Sequence, residues 1–165
     1  MKKLMTLAIT AVAAFPFLAF GQSEGYYDRS FTRLSYVKGD VYIQRAQDLG
    51  YELGEVNLVV VEGDKLGTRE GRAEIQLGRG NILRLDRETQ VDLAGLPGRD
   101  GDPTKIHLIQ GSVFFRVRDL DREKNLQIHT PDASFYVLEA GLYRLDVSSN
   151  SRTDLSVYSG QAEAA

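Results

Sequence analysis

Apolar residues recur at every second position in a series of short runs. Val41 and Ile43 share one side of DVYIQR, and Ala73, Ile75 and Leu77 share one side of RAEIQL. Leu83 with Leu85, Val91 with Leu93, and Val113 with Phe115 and Val117 repeat the pattern. Leu126 with Ile128, Tyr143 with Leu145 and Val147, and Leu155 with Val157 complete it. A period of two puts alternate side chains on opposite faces, so each run predicts a half-buried strand. Glycines at 39, 63, 71, 78, 80, 111, 141 and 160 separate the runs and predict turns, because glycine accepts a positive φ. No window carries an apolar stripe at helical spacing. Residues 45–56 are the best candidate for a non-strand excursion, where Gly50 and Gly54 weaken any helix. The run PGRDGDP at 97–103 predicts a long surface turn. Four units, GDVYIQ, GSVFFRV, GLYRLDV and GQAEA, each pass from glycine into a strand at unequal spacing. The prediction is an all-β single domain of many short antiparallel strands, either a twisted, solenoid-like roll or a sandwich.

The start of the chain departs from this pattern. Lys2 and Lys3 precede an apolar run over residues 4–18, and Ala19-Phe20-Gly21 offers small residues at the two positions a signal peptidase reads. Residues 1–21 are therefore expected to be a signal peptide, cut between Gly21 and Gln22. The run is shorter than the roughly 20 residues a spanning helix needs, and no later segment is long and apolar enough to span. Residues 22–33, polar with scattered aromatics, predict a lead-in arm, and the domain is expected over 34–165. Loss of Lys2 and Lys3, with no acid lost, takes the net charge from −3 to −5. A mildly acidic surface argues against nucleic acid as partner, since phosphate binding needs clustered lysine and arginine. Cysteine is absent, so in an oxidising compartment the core alone must stabilise the fold.

Candidate chemistry is sparse. His107 and His129 both fall in predicted strands, and a metal site needs three or four converging ligands, so neither a metal nor another cofactor is expected. No G-x-S-x-G turn marks a nucleophilic serine. The segment around Asp100 and Asp102 lacks the spacing of a calcium loop. Gly78-Arg79-Gly80 is followed by a strand, whereas phosphate loops need a helix N-terminus. Glu70, Glu74, Asp86, Glu88 and Asp92 alternate with Arg69, Arg72, Arg84 and Arg87; cross-strand pairing on a solvated face outweighs glycosidase-type acid–base work. Phe114 is the exception. It lies out of phase with Val113 and Phe115, on the side of Arg116 and Arg118. Tyr136 is likewise out of phase with Phe135 and Val137. Phe114, Arg116, Arg118 and Tyr136 are the candidate partner-docking residues.

GDVYIQ at 39–44, VEGDKLGTREGRAEIQLGRGNILRLDRETQVDL at 61–93, IQGSVFFRV at 109–117, IHTPDASFYV at 128–137 and YSGQAEA at 158–164 together resemble the FecR-like domain of bacterial extracytoplasmic proteins. The resemblance implies a twisted all-β module outside the cytoplasm. In some members that module belongs to an anti-sigma signal transducer for iron-siderophore uptake. Two departures stand out. A signal peptide occupies the place of those members' cytoplasmic segment and membrane helix, which argues against direct sigma-factor control. The family's Gly-Thr pair before the penultimate strand reads Gly141-Leu142. The stretch also resembles exported proteins of unknown function in which this domain opens a longer chain. The expected function is a non-enzymatic, extracytoplasmic protein-interaction or sensory and regulatory module, periplasmic or otherwise exported, with a protein partner in the cell envelope. The alternative is a cell-envelope or polysaccharide-binding module, which Tyr26, Tyr27, Tyr42 and Tyr51 gathered on one concave face would favour.

Overall fold

The computed structural model describes residues 32–97, 102–120, 122 and 125–165. The leader with Gly21 and Gln22, the arm through residue 31 with Tyr26 and Tyr27, and the loop centre at 98–101 lie outside those residues.

Among the described residues there are thirteen strands and no α-helix, as the alternating pattern predicts. In chain order they are β1 (Arg33–Lys38), β2 (Val41–Gln44), β3 (Glu52–Leu53), β4 (Lys65–Thr68), β5 (Arg72–Gln76), β6 (Ile82–Leu85) and β7 (Gln90–Gly95). Then come β8 (Thr104–Val117), β9 (Leu126–His129), β10 (Ser134–Val137), β11 (Gly141–Val147), β12 (Thr153–Ser159) and β13 (Ala162–Ala164). Gly78–Gly80 forms one 3-10 turn that joins β5 to β6.

The strands make one curled sheet, a half-barrel. Its main path runs β1-β5-β6-β8-β7-β4-β2-β3. Strand β8 serves both halves of the curl. Its first half pairs with β7 and β9, and its second half pairs with β6 and β11. Beyond these, β12 adds to β11, and β10 and β13 add to β9. Every pairing is antiparallel except β8 with β9.

The inward residues of both halves merge into one core. It runs from Leu34, Val41 and Ile43 through Ile75, Leu83, Leu93 and Ile106 to Phe115, Ile128, Phe135 and Leu145. Each side chain of this size stabilises the fold by about 1.5–3 kcal/mol relative to exposure. Nearly all positions that the period-two reading put inside are buried. The exception is the last pair, because among the described residues β12 pairs with no strand but β11: Leu155 is half-buried and Val157 exposed. Tyr143 is buried with its ring, and its hydroxyl lies 2.7 Å from the carbonyl of Glu139 and 3.1 Å from that of Gln161.

Gly111 is not a turn. The strand passes straight through it at φ +88°. The bend there is where β8 leaves β7 and takes up β6 and β11. Buried Thr89 braces the bend: its hydroxyl accepts from Ser112 N–H at 3.0 Å and lies 3.1 Å from the Ser112 carbonyl.

The excursion after β2 also has a structural role. From β3 it returns to β1, so it joins the two ends of the main path. Gly54 N–H donates to Val41 O at 2.9 Å on one side. On the other, Asn57 N–H donates to Leu34 O at 2.8 Å, Leu34 N–H to Leu58 O at 3.0 Å and Val60 N–H to Thr32 O at 2.9 Å. Arg33, expected to end the arm, belongs to β1, and Thr32 before it is bonded to Val60. The excursion is anchored by Asp64, which is fully buried. Its carboxylate accepts from the Arg45 guanidinium at 2.9 Å, Ala46 N–H at 3.1 Å and Val61 N–H at 3.0 Å.

Candidate functional site

The outer face of the half containing β5, β6, β8, β11 and β12 carries the most concentrated chemistry. Cross-strand register sets it out in rows. One row reads Tyr36, Glu74, Arg84, Phe114, Arg144 and Ser156. Another brings Arg116 between Ile82 and Leu142. Glu74, Arg84, Phe114, Arg116 and Arg144 point outward because their sequence neighbours face the core.

Phe114 is half-buried on this face, and Arg116 and Arg118 are exposed. The Phe114 ring stacks on Tyr158, with centroids 5.4 Å apart and planes 24° apart. The Arg144 guanidinium carbon lies 5.9 Å from the centre of the Phe114 ring. An open cleft of about 260 Å³ adjoins them, with Arg72, Asp86 and Ser112 on its walls. Phe114 and Arg116 lie two residues apart on the outer face of β8. Arg118 lies just past the end of β8, where its backbone N–H donates to Asn81 Oδ1 at 2.8 Å.

Tyr136 is not part of that face. It projects from β10 in the other half of the sheet, edge-on to His129 at 6.4 Å. The reason is topological. Phe114 and Tyr136 each alternate outward, but from strands in opposite halves of the curl. Tyr158, which completes the aromatic pair, was missed by sequence reasoning. Its partnership with Phe114 depends on β12 following β11 at the sheet edge, and nothing local in YSG announces it.

The arginines and carboxylates on the Phe114 face form cross-strand and same-strand pairs. Arg84 Nε donates to Glu74 at 2.7 Å, Arg72 Nε to Asp86 at 2.8 Å, and Arg144 binds Asp146 through both Nε and Nη2. These contacts hold three carboxyls below the ordinary carboxylate range. Burial pushes Glu74 up, but hydrogen bonds from Arg84 and Ser35 outweigh it. Asp86 is lowered by Arg72 and then by the Arg87 N–H. Asp146 is lowered by Arg144 against some desolvation, with help from Ser112. A glycosidase-type acid needs the opposite shift, so these groups are poised as permanent anions.

The sign for stability follows. With folded-state values depressed, the unfolded chain binds more protons as pH falls, so the stability these groups add above the carboxylate range is lost on acidification. Melting temperature is expected to be flat from pH 8 to about 7, to fall slightly below that because His129 is less basic in the fold than in the unfolded chain, and to fall steadily below about pH 4.5. Scanning calorimetry in buffers from pH 8 to 3 checks this, and a flat profile down to pH 3 would show the pairs add nothing.

The two histidines face each other on neighbouring strands, His107 on β8 and His129 on β9. Their rings meet edge to face, 5.4 Å between centroids. His129 Nδ1 lies 2.8 Å from Ser134 Oγ. Burial, then His107 and Lys105, depress the basicity of His129. A serine nucleophile needs a good base oriented by a carboxylate. Here the ring beside the base is a second imidazole, and the base is weakened. Among the described residues no group of three or more His, Cys, Asp or Glu could hold a metal ion.

Tyr42 and Tyr51 do meet, but at 87° between planes, so they offer no flat stacking platform. Tyr42 also covers Gly67, where a Cβ would lie only 2.2 Å from the ring. It fills space over a neighbouring strand.

The sequence model of one family, described as FecR protein, matches residues 64–163. The match begins at Asp64, so GDVYIQ at 39–44 precedes it, although β2 pairs directly with β4 inside the matched stretch. No curated protein and no solved structure matches the chain.

Proposed function

This chain belongs to the FecR protein family, and from that premise we propose that it is a regulatory module that acts by binding a protein partner outside the cytoplasm. The family is generally one of regulatory and signalling proteins. The apolar leader after Lys2 and Lys3 supports export, and the partner is a protein of the cell envelope. The module carries out no reaction of its own.

The observation that carries this reading is the Phe114 face. Aromatic and arginine side chains dominate binding energy where proteins meet, because they bury large area and make several polar contacts at once. Phe114, Tyr158, Arg116 and Arg144 combine both kinds on an outward face of the sheet. Docking would cover the aromatic pair while the arginines meet carboxylates or carbonyls of the partner.

Phe114→Asp tests it. The expected result is loss of partner capture, by crosslinking from periplasmic extract, with a melting temperature close to that of the parent chain. Unfolding of the variant would show that Phe114 serves packing, and unchanged capture by a folded variant would remove this face from the interaction.

A further inference from the structure

The excursion between β2 and β4 is ordered yet apolar on its outside. Of the ten large hydrophobic side chains exposed among the described residues, six lie here: Leu49, Tyr51, Leu53, Val56, Val59 and Val61. Leu49 is 92% exposed and Leu53 is 77% exposed. Looseness does not explain this, because Asp64 and the bonds to Val41, Leu34 and Thr32 hold the segment in place. The excursion also lies before the family match at 64–163.

Its charge is one-sided. Between Arg45 and Lys65 the chain carries Asp48, Glu52, Glu55, Glu62 and Asp64 and no lysine or arginine. Arg45 itself is engaged by Glu52 and Asp64.

Strand β3 gives the surface a backbone edge. Gly54 N–H donates inward to Val41 O. Antiparallel bonding directions alternate along a strand, so Leu53 turns its N–H and C=O away from β2. The Leu53 side chain shares the outer face with Tyr51 and Tyr42.

We propose that the free edge of β3, with the acidic, apolar excursion around it, docks an extended segment of a partner protein in which apolar residues alternate with lysine or arginine. Backbone pairing at Leu53 supplies the register, the exposed aliphatics supply the buried area, and the carboxylates select for basic residues. The same carboxylates disfavour the other occupants. A second copy would set acid against acid, and an anionic membrane surface would repel them. This surface is separate from the Phe114 face, since β5 and β6 stand between β1 and β8.

The probe is a fluorescently labelled peptide, acetyl-Lys-Val-Lys-Leu-Lys-Val-Lys-amide, titrated with the chain and read by anisotropy. Saturable binding is expected, at least tenfold weaker for the peptide with glutamate in place of lysine. It should also be at least tenfold weaker for a peptide N-methylated at every residue, which keeps charge and side chains but has no backbone N–H left to pair on either edge. In the protein, Leu53→Pro removes the outward N–H together with the leucine side chain, Leu53→Ala removes the side chain alone, and the double variant Glu55→Lys with Glu62→Lys reverses charge at exposed positions; the proline and charge variants should each weaken binding at least tenfold, the proline variant more than the alanine one, with circular dichroism unchanged. If Leu53→Pro unfolds, the charge variant and the N-methylated peptide still decide. No binding overturns the proposal, as does equal binding of the N-methylated peptide, which would make the contact electrostatic alone. Binding that survives both protein variants but is lost in Phe114→Asp overturns it too.

Discussion

Gly111→Ala is expected to destabilise the chain by about 3–5 kcal/mol and to lower its melting temperature by about 10–15 °C. Two costs combine. At φ +88° an alanine is strained, by about 1–3 kcal/mol. Its Cβ would also lie 2.5 Å from the Glu88 carbonyl oxygen and 2.6 Å from Thr89 Cα. Those are backbone atoms of the turn into β7, and Thr89 is pinned to Ser112 by its hydroxyl. They can move only by pulling β7 off β8, which adds a packing penalty of about 1–3 kcal/mol. Gly67→Ala is the informative control. Its Cβ would meet the Tyr42 ring at 2.2 Å, but that is the far end of a side chain that can swing aside. Urea unfolding of both variants should show Gly111→Ala much the worse. A midpoint for Gly111→Ala equal to that of the parent would mean that β8 does not bend there.

Asp64→Ala should cost about 2–4 kcal/mol, because a buried carboxylate is removed from three donors at once. Arg45 loses its inner partner, and Ala46 and Val61 lose the acceptor for their N–H groups. Asp64→Asn keeps the shape and one acceptor oxygen and should cost roughly half as much. The loss should be local before it is global. Hydrogen exchange is expected to rise first at Ala46, Val61 and the amides of Asn57 and Val60 that tie the excursion to β1. Uniform loss of protection over the whole sheet, with no early opening of residues 46–63, would count against Asp64 as the anchor.

Much of the sheet was legible because burial imposes a period of two on each strand. Ala73, Ile75, Leu83, Leu85, Val113 and Phe115 announce the core side without any knowledge of their partners. The outward aspect of Phe114 and Tyr136 follows from the same phase. What the pattern does not encode is which strand lies beside which. The parallel pairing of β8 with β9, the separation of Tyr136 from Phe114, and the approach of Tyr158 to Phe114 all depend on strand order. Gly111 misled for a related reason: a glycine at positive φ serves a turn or a bend, and only the partners on both sides tell them apart. The excursion is legible as irregular over residues 45–56, but its continuation to residue 63 and its part in joining β1 to β3 rest on backbone bonds, which leave no mark in side-chain type.

The double membership of β8 governs how the chain can fold. One fourteen-residue strand takes partners from β6 and β7 before it and from β9 and β11 after it. None of the four pairings can form until residue 104 and beyond have been made, and the last waits for residue 147. Before that, β1, β5 and β6 lack the strand that closes their row, and β2, β4 and β7 lack theirs. Such late, non-local closure makes for slow folding, because loop entropy is lost before contacts repay it. The nascent polypeptide therefore keeps unpaired strand edges for most of its synthesis, accessible to chaperones.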